Sequence, residues 1–198
     1  MENYYVVKYS GPFGFIKPWA AVRDELTFSQ LYLSGSIIKG MSQKLFGLDE
    51  MNKILRHRLS YTQLVETQER TLPKLVKTTK AGGILKRQIM LNPELNLAFG
   101  SMEDASIAAA QHLCLCRNED IVWPSSPMAM SEESFDTLPG FEYFPKGELE
   151  GGIFHGWDRT SRDEAGYHKK QYGTISRIGE PMRLGENFIT GKKDEEIA

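Results

Sequence analysis

The chain has 198 residues, 40% of them hydrophobic and 25% charged, with a net charge of −2. This composition belongs to a globular domain long enough for a real core, and the near-neutral balance excludes a chain that binds nucleic acid by bulk charge alone. Cys114 and Cys116 are two residues apart and provide no disulfide framework, no apolar run approaches 18 residues, and MENYYVVKYS lacks the regions of a signal peptide. The expectation is a cytoplasmic protein with no membrane segment.

Tyr4 to Tyr9 is β-branched and aromatic and reads as a first strand, stopped by Ser10-Gly11-Pro12. The next twenty residues set aromatics beside bases. Lys17, Trp19 and Arg23 are candidates to stack nucleobases and grip phosphates, with Phe13, Phe15 and Trp19 also readable as a loop packed on the core. Ser36 is the expected N-cap of a helix whose apolar face is Ile37, Ile38, Met41 and Leu45, and Gly47 its stop. Ile54 to Val65 alternates, so that Leu55, His57, Leu59 and Tyr61 share one face and Arg56, Arg58, Ser60 and Thr62 the other. This second strand therefore has a basic face.

Arg70 to Asn92 then contains Arg70, Lys74, Lys77, Lys80, Lys86 and Arg87 and no acid, with Ala81-Gly82-Gly83 as the expected hairpin tip. An arm of about residues 70–86 with this charge suits a phosphate backbone, although solvated lysines on a plain loop would look the same. Lys86 to Asn92 resumes as a third strand, continuing past Asn92-Pro93 to Phe99. Ser101 and Asp104 form a capping box for an alanine-rich helix, MEDASIAAAQHL, and His112 to Trp123 is read as strand four.

The element order is strand, helix, strand, strand, helix, strand. It is that of an α+β, ferredoxin-like β-α-β-β-α-β domain over residues 1–124 with an arm between strands two and three. Residues 125–191 are glycine-rich and punctuated by aromatics, and read as an irregular β extension added to the sheet; residues 192–198 read as a charged disordered tail. The charge is divided. Residues 53–87 hold nine lysines and arginines against Glu66 and Glu69, whereas residues 131–150 hold six acids against Lys146. Such a chain can hold a polyanion on one side and a partner on the other.

In HLCLCRNEDIVWP, the residues Leu115, Arg117, Asn118, Glu119, Asp120, Ile121 and Val122 resemble the strand-four signature of the CRISPR-associated RAMP proteins of the Cas-five family. SGSIIKGMSQKLFG, with Ile37, Ile38 and Gly40, is similar to that family's first helix, and KRQIMLNPELNLAF to its third strand. The match spans residues 4–124. One residue departs from it: Cys116 stands where the family has glycine. The resemblance implies an RRM/RAMP-type fold and a non-catalytic subunit of a type I, Cascade-like ribonucleoprotein complex in antiviral defence. Its implied partners are the 5′ handle of the crRNA, a backbone RAMP subunit and the large subunit, with target DNA reached through guide pairing. The arm stands where such proteins carry a β-hairpin thumb, and Arg117 becomes a candidate RNA contact or anchor with Glu119 and Asp120 as its charge partners. No metal or other cofactor is expected.

Other chemistries fit parts of the chain. His57 and Tyr61, with Lys44 or Lys86, could compose a metal-independent RNA-cleaving set, as in relatives that process their own precursor. His112, Cys114 and Cys116 alternate onto one face, but zinc would want a fourth ligand and wider cysteine spacing. A protein-interaction scaffold that never touches RNA would use the acidic 131–150 segment.

Overall fold

The computed structural model describes residues 3–18, 26–70, 74–76, 79–81 and 83–178, with the side chains of 74–76, 79–81 and 159–160 left aside. The chain runs through β1 (Asn3–Ser10), β2 (Phe13–Gly14), β3 (Leu26–Thr27), α1 (Gly35–Phe46), β4 (Ile54–Ser60), β5 (Gln63–Arg70), β6 (Lys74–Val76), β7 (Thr79–Ala81), β8 (Ile84–Leu91) and β9 (Glu94–Phe99). It continues with α2 (Met102–Ala109), β10 (Leu113–Cys114), β11 (Ile121–Pro124), β12 (Met128–Ser131), α3 (Glu132–Asp136), β13 (Gly140–Pro145), a 3-10 turn at Glu148–Glu150, β14 (Ile153–Arg162) and β15 (His168–Ile178). The fold is mixed α+β, with mostly antiparallel sheet and few helices.

Among the described residues the main sheet has nine strands in the order β10–β11–β1–β9–β4–β13–β15–β14, and β12 runs on beside β1 after β11. β1, β9 and β4 are long antiparallel neighbours, with Val6 facing Ala98 and Ala98 facing Arg56. One face of this sheet is apolar because Val7, Tyr9, Leu59, Leu95, Leu97 and Phe99 alternate onto it, and α1 and α2 close it with Met41, Leu45, Ala105 and Ala108. The Tyr9 hydroxyl donates to the Ala108 carbonyl at 2.7 Å, so its one polar atom is satisfied inside that core. The other face carries Tyr4, Val6 and Ala98, and there Phe135 of α3 is fully buried.

Strands two and three of the sequence reading each break once. At Tyr61-Thr62 and again at Asn92-Pro93 the chain leaves the main sheet, and β5 and β8 pair with each other from Gln63↔Leu91 out to Arg70↔Ile84. The junction is pinned by the Thr62 N–H donating to Leu91, by Asn92 Nδ2 donating to Thr62 Oγ1, and by Asn92 itself at φ 47°, a left-handed value asparagine tolerates. The arm is therefore a β5–β8 ribbon that begins at residue 63, earlier than the sequence suggests, and ends at 91; at its root β2 pairs antiparallel with β8 at Met90–Leu91 and β3 pairs parallel with it at Lys86–Arg87. Beyond it β6 pairs with β7, Val76 opposite Thr79. The chain thus reverses between Val76 and Thr79, and the expected tip at Ala81-Gly82-Gly83 is corrected; positions 77, 78 and 82 lie outside the described residues.

Three further boundaries differ. The N-cap of α1 is Ser34, two residues ahead of the expected Ser36, whereas Gly47 ends the helix at φ 110° as expected. Ser101 accepts from the Asp104 N–H, but α2 stops at Ala109. The expected strand over 112–123 is mostly a turn: the strand that lies along β1 is Ile121–Pro124 continued by Met128–Ser131. The C-terminal extension is more regular than its composition implies, with β14 and β15 of 10 and 11 residues. Gly140 makes its attachment possible: at φ 125°, a Cβ there would stand 2.3 Å from the Leu59 carbonyl oxygen.

Candidate nucleic-acid interface

Two basic regions follow one another in the chain, and their surroundings differ. On β4, Arg56 and Arg58 point to the sheet face covered by α3. The Arg56 guanidinium donates to both oxygens of Glu142 at 2.8 Å and to Asp136 at 2.7 Å, with the Phe135 ring 4.9 Å away. Its hydrogen bonds to Glu142 raise its pKa above the ordinary arginine value, with burial opposing. Arg58 is fully buried; its Nη2 lies 2.9 Å from Glu142 Oε2 and its guanidinium 5.5 Å from the Phe135 ring. Burial pushes its pKa down and Glu142 pushes it back up. No described group accepts a hydrogen bond from it, so the Glu142 carboxylate is its main compensation. The expectation that Arg58 contacts RNA is corrected: its side chain is closed to any ligand. Arg56 is committed to carboxylates of the 131–150 segment, so the acidic stretch docks on the chain's own basic strand.

A second cluster lies at the root of the arm. Phe15, fully buried after β2, has the Arg87 guanidinium 5.1 Å from its ring centre and that of Arg117 5.6 Å away. Arg117 donates through Nε and Nη2 to the two oxygens of Asp120 at 2.8 and 2.6 Å, and its backbone N–H to the same carboxylate at 2.9 Å. These bonds to Asp120 raise the Arg117 pKa, against burial. Glu69 of β5 joins the two arginines, with Oε2 at 2.8 Å from Arg87 Nε and Oε1 on Arg117 Nη1. The turn that carries this signature is closed by the Leu115 N–H on the Asp120 carbonyl and the Asp120 N–H on that of Arg117. Cys116 sits in it without left-handed backbone, since Asn92 is the one described non-glycine residue at positive φ, so the turn accommodates a side chain at this position.

The arm itself is open. Cross-strand partners Gln68 and Lys86, and Arg70 and Ile84, share its outer face, and Arg70, Lys86 and Ile84 are exposed. Lys17, also exposed, follows Phe15 and Ile16. Lys17, Arg70 and Lys86 make no ion pair among the described residues. Lys74 and Lys80 extend the ribbon at β6 and β7, their side chains not described, and Lys77, Trp19 and Arg23 lie outside the described residues. Of the twelve expected contacts, Lys17, Arg70 and Lys86 are thus presented on the surface, while Arg56, Arg58, Arg87 and Arg117 are held by carboxylates. Glu69, Phe135 and Glu142 had no role in the sequence reading; the only signal for them was the proximity of a few acids to many bases.

Of the residues considered for RNA cleavage, His57 and Lys44 are hydrogen-bonded, the buried Tyr61 hydroxyl has no partner among the described residues, and Lys86 is exposed on the arm. His57 is buried, its Nε2 accepts the Tyr143 N–H at 3.1 Å, and burial together with Arg58 and Arg56 pushes its pKa down to about 3. Burial pushes Tyr61 up to about 12, and Lys44 donates to the His112 carbonyl at 2.9 Å. The His112 ring lies 5.2 Å from that of Trp123 at a 44° tilt, Cys116 is exposed, and among the described residues no three His, Cys, Asp or Glu side chains converge as metal ligands. His155 is a packing residue, with Nδ1 taking the Tyr32 hydroxyl at 2.8 Å and Nε2 near the Gly173 carbonyl. No helix among the described residues is long and apolar enough to cross a membrane.

No family model and no curated protein matches the sequence. Among solved structures, the fold is similar to that of a chain of a CRISPR RNA-guided surveillance complex, at 13% identity and a TM-score of 0.54, over 88% of this chain and 90% of that one. At that identity the likeness is one of fold, and it extends over nearly the whole of both chains.

Proposed function

We propose that this protein is a non-catalytic RNA-binding subunit of a Cascade-like CRISPR effector complex, built on a ferredoxin-like RAMP core of the Cas-five type. The observation that carries this reading is the β5–β8 ribbon, which leaves a four-strand antiparallel core ordered β11–β1–β9–β4 and shows Arg70 and Lys86 on its open face. Fold similarity to a chain of an RNA-guided complex supports the same assignment. In this role the chain caps the 5′ handle of the crRNA, the arm enters the guide as a thumb, and neighbouring backbone and large subunits complete the assembly in the cytoplasm. Protein contacts hold RNA backbone and shape, and guide pairing reads the target.

Chemistry at His57 is disfavoured by its neutral, buried state and by the use of Nε2 as an acceptor, which leaves no group there titrating near neutral pH. Incubating the purified protein with labelled repeat RNA, with and without EDTA, tests the whole reading. Retention without cleavage is expected in both lanes. Cleavage abolished by His57→Ala would establish a metal-independent endoribonuclease instead, and absence of RNA retention would favour a protein scaffold.

A further inference from the structure

The inner half of the arm is held to the body by β2 and β3, which pair with β8 at Met90–Leu91 and Lys86–Arg87, and by Met90 in the main core. Among the described residues its outer end pairs only with itself, β5 with β8 at Glu69–Arg70 and Ile84–Leu85, and β6 with β7. At its root one carboxylate reaches both sides: Glu69 belongs to β5, its Oε2 holds Arg87 across the ribbon on β8, and its Oε1 holds Arg117 in the turn before β11. Arg117 is itself fixed by the fully buried Asp120, and Phe15 fills the space between the two guanidiniums. Outward of Lys86, the last described partner of β3 on β8, the ribbon is two strands wide, and such a ribbon bends and twists easily unless something ties it. At that level the side-chain tie is ionic and only partly buried, since Glu69 retains 31% of its side-chain exposure.

We propose that Glu69 is a positioning residue: by bridging Arg87 of the arm to Arg117 of the body around Phe15, it sets the direction in which the arm projects. Glu69 touches no RNA in this account. It is an acid at the root of a cationic element, and its charge is neutralised by two arginines, so it can lie beside a phosphate path without repelling it. Arg117 then serves RNA binding through the arm. The effect on RNA rests on the arm's proposed role, whereas the effect on arm direction does not.

The test measures the arm without RNA. Spin labels at Thr78→Cys, between β6 and β7 in the sequence, and at Asp49→Cys, after α1, are placed in a Cys114→Ser/Cys116→Ser background, and their distance distribution is recorded by pulsed dipolar spectroscopy. Glu69→Gln, which removes the charge and keeps the shape, is expected to broaden or shift the distribution at unchanged thermal melting temperature; Arg87→Gln, which cuts the other end, should do the same. Glu66→Gln, on the outer face of the same strand, should leave it as it is. Raising the salt concentration should move the parent distribution toward that of Glu69→Gln, because a partly exposed ion pair is screened. Affinity for repeat RNA should fall about tenfold in Glu69→Gln, the equivalent of one charge-assisted contact. An unchanged distribution in both Glu69→Gln and Arg87→Gln overturns the proposal whatever the RNA result. A changed distribution with unchanged RNA affinity upholds the positioning role and counts against the arm as an RNA contact.

Discussion

β4 and the β5–β8 ribbon are consecutive in the chain and both rich in cations, yet they end in opposite situations. Arg56 and Arg58 are roofed by α3 and neutralised by Glu142 and Asp136. Arg70 and Lys86 are exposed on the ribbon, with Lys86 in register with Leu26 of β3 at the strand edge. Charge density along the sequence does not distinguish the two; the position of the partner carboxylates does. Buried cations maintain the fold, and exposed ones without partners are available to a polyanion.

The largest expected effect comes from the buried side. Glu142→Gln leaves Arg58 without its carboxylate in a closed site, and stability to urea should fall by about 3–5 kcal/mol. RNA binding per folded molecule should be unchanged. A loss below about 1 kcal/mol would mean that the Arg58 site is wetter and weaker than its burial implies.

A smaller effect arises on the same strand from His57. Its pKa is about 3 in the folded protein and 6.5 when unperturbed. The folded state therefore refuses a proton that the unfolded chain accepts, so its contribution is fully present above pH 6.5 and is lost as the pH falls toward 3. Between pH 6.5 and 5 the decline should reach about 2 kcal/mol, at most ~1.4 kcal/mol per pH unit. Urea denaturation across that window should show the slope, and His57→Gln should flatten it. A protein equally stable at pH 6.5 and 5 would contradict a neutral, buried His57.

On the open side, Arg70→Ala/Lys86→Ala should change stability by no more than about 0.5 kcal/mol. The same pair should lower the slope of log affinity against log salt for repeat RNA by about 1.4, at ~0.7 per single-strand phosphate. Loss of folding stability without change in salt slope would reverse the assignment of the two regions.

Much of this was legible in the residues. β1, the alternation in β4, the capped α2 and the Asn92-Pro93 turn follow from local chemistry, as does the mixed α+β class with its mostly antiparallel sheet. What local patterns could not supply was partnership at a distance. Arg58 alternates onto a polar face and so looks exposed; its burial depends on Phe135 and Glu142, about eighty residues later, arriving over it. Likewise Glu69 looks like a lone acid at the edge of a basic tract, and only the meeting of β5, β8 and the turn before β11 shows it holding Arg87 and Arg117. The arm's length was missed for a related reason: Tyr61-Thr62 does not interrupt the alternation of apolar and polar residues, so a strand that changes sheet reads as one that continues.

The arm's proposed central role is to carry RNA phosphates. Salt-titrated binding of a repeat RNA to the Lys74→Ala/Lys77→Ala/Lys80→Ala variant measures this. The predicted result is a similar weakening for every sequence, with the salt slope lower by about 2, and an unaltered melting temperature. An unchanged slope and affinity in a folded triple variant would contradict it and reduce the arm to an ordinary surface element.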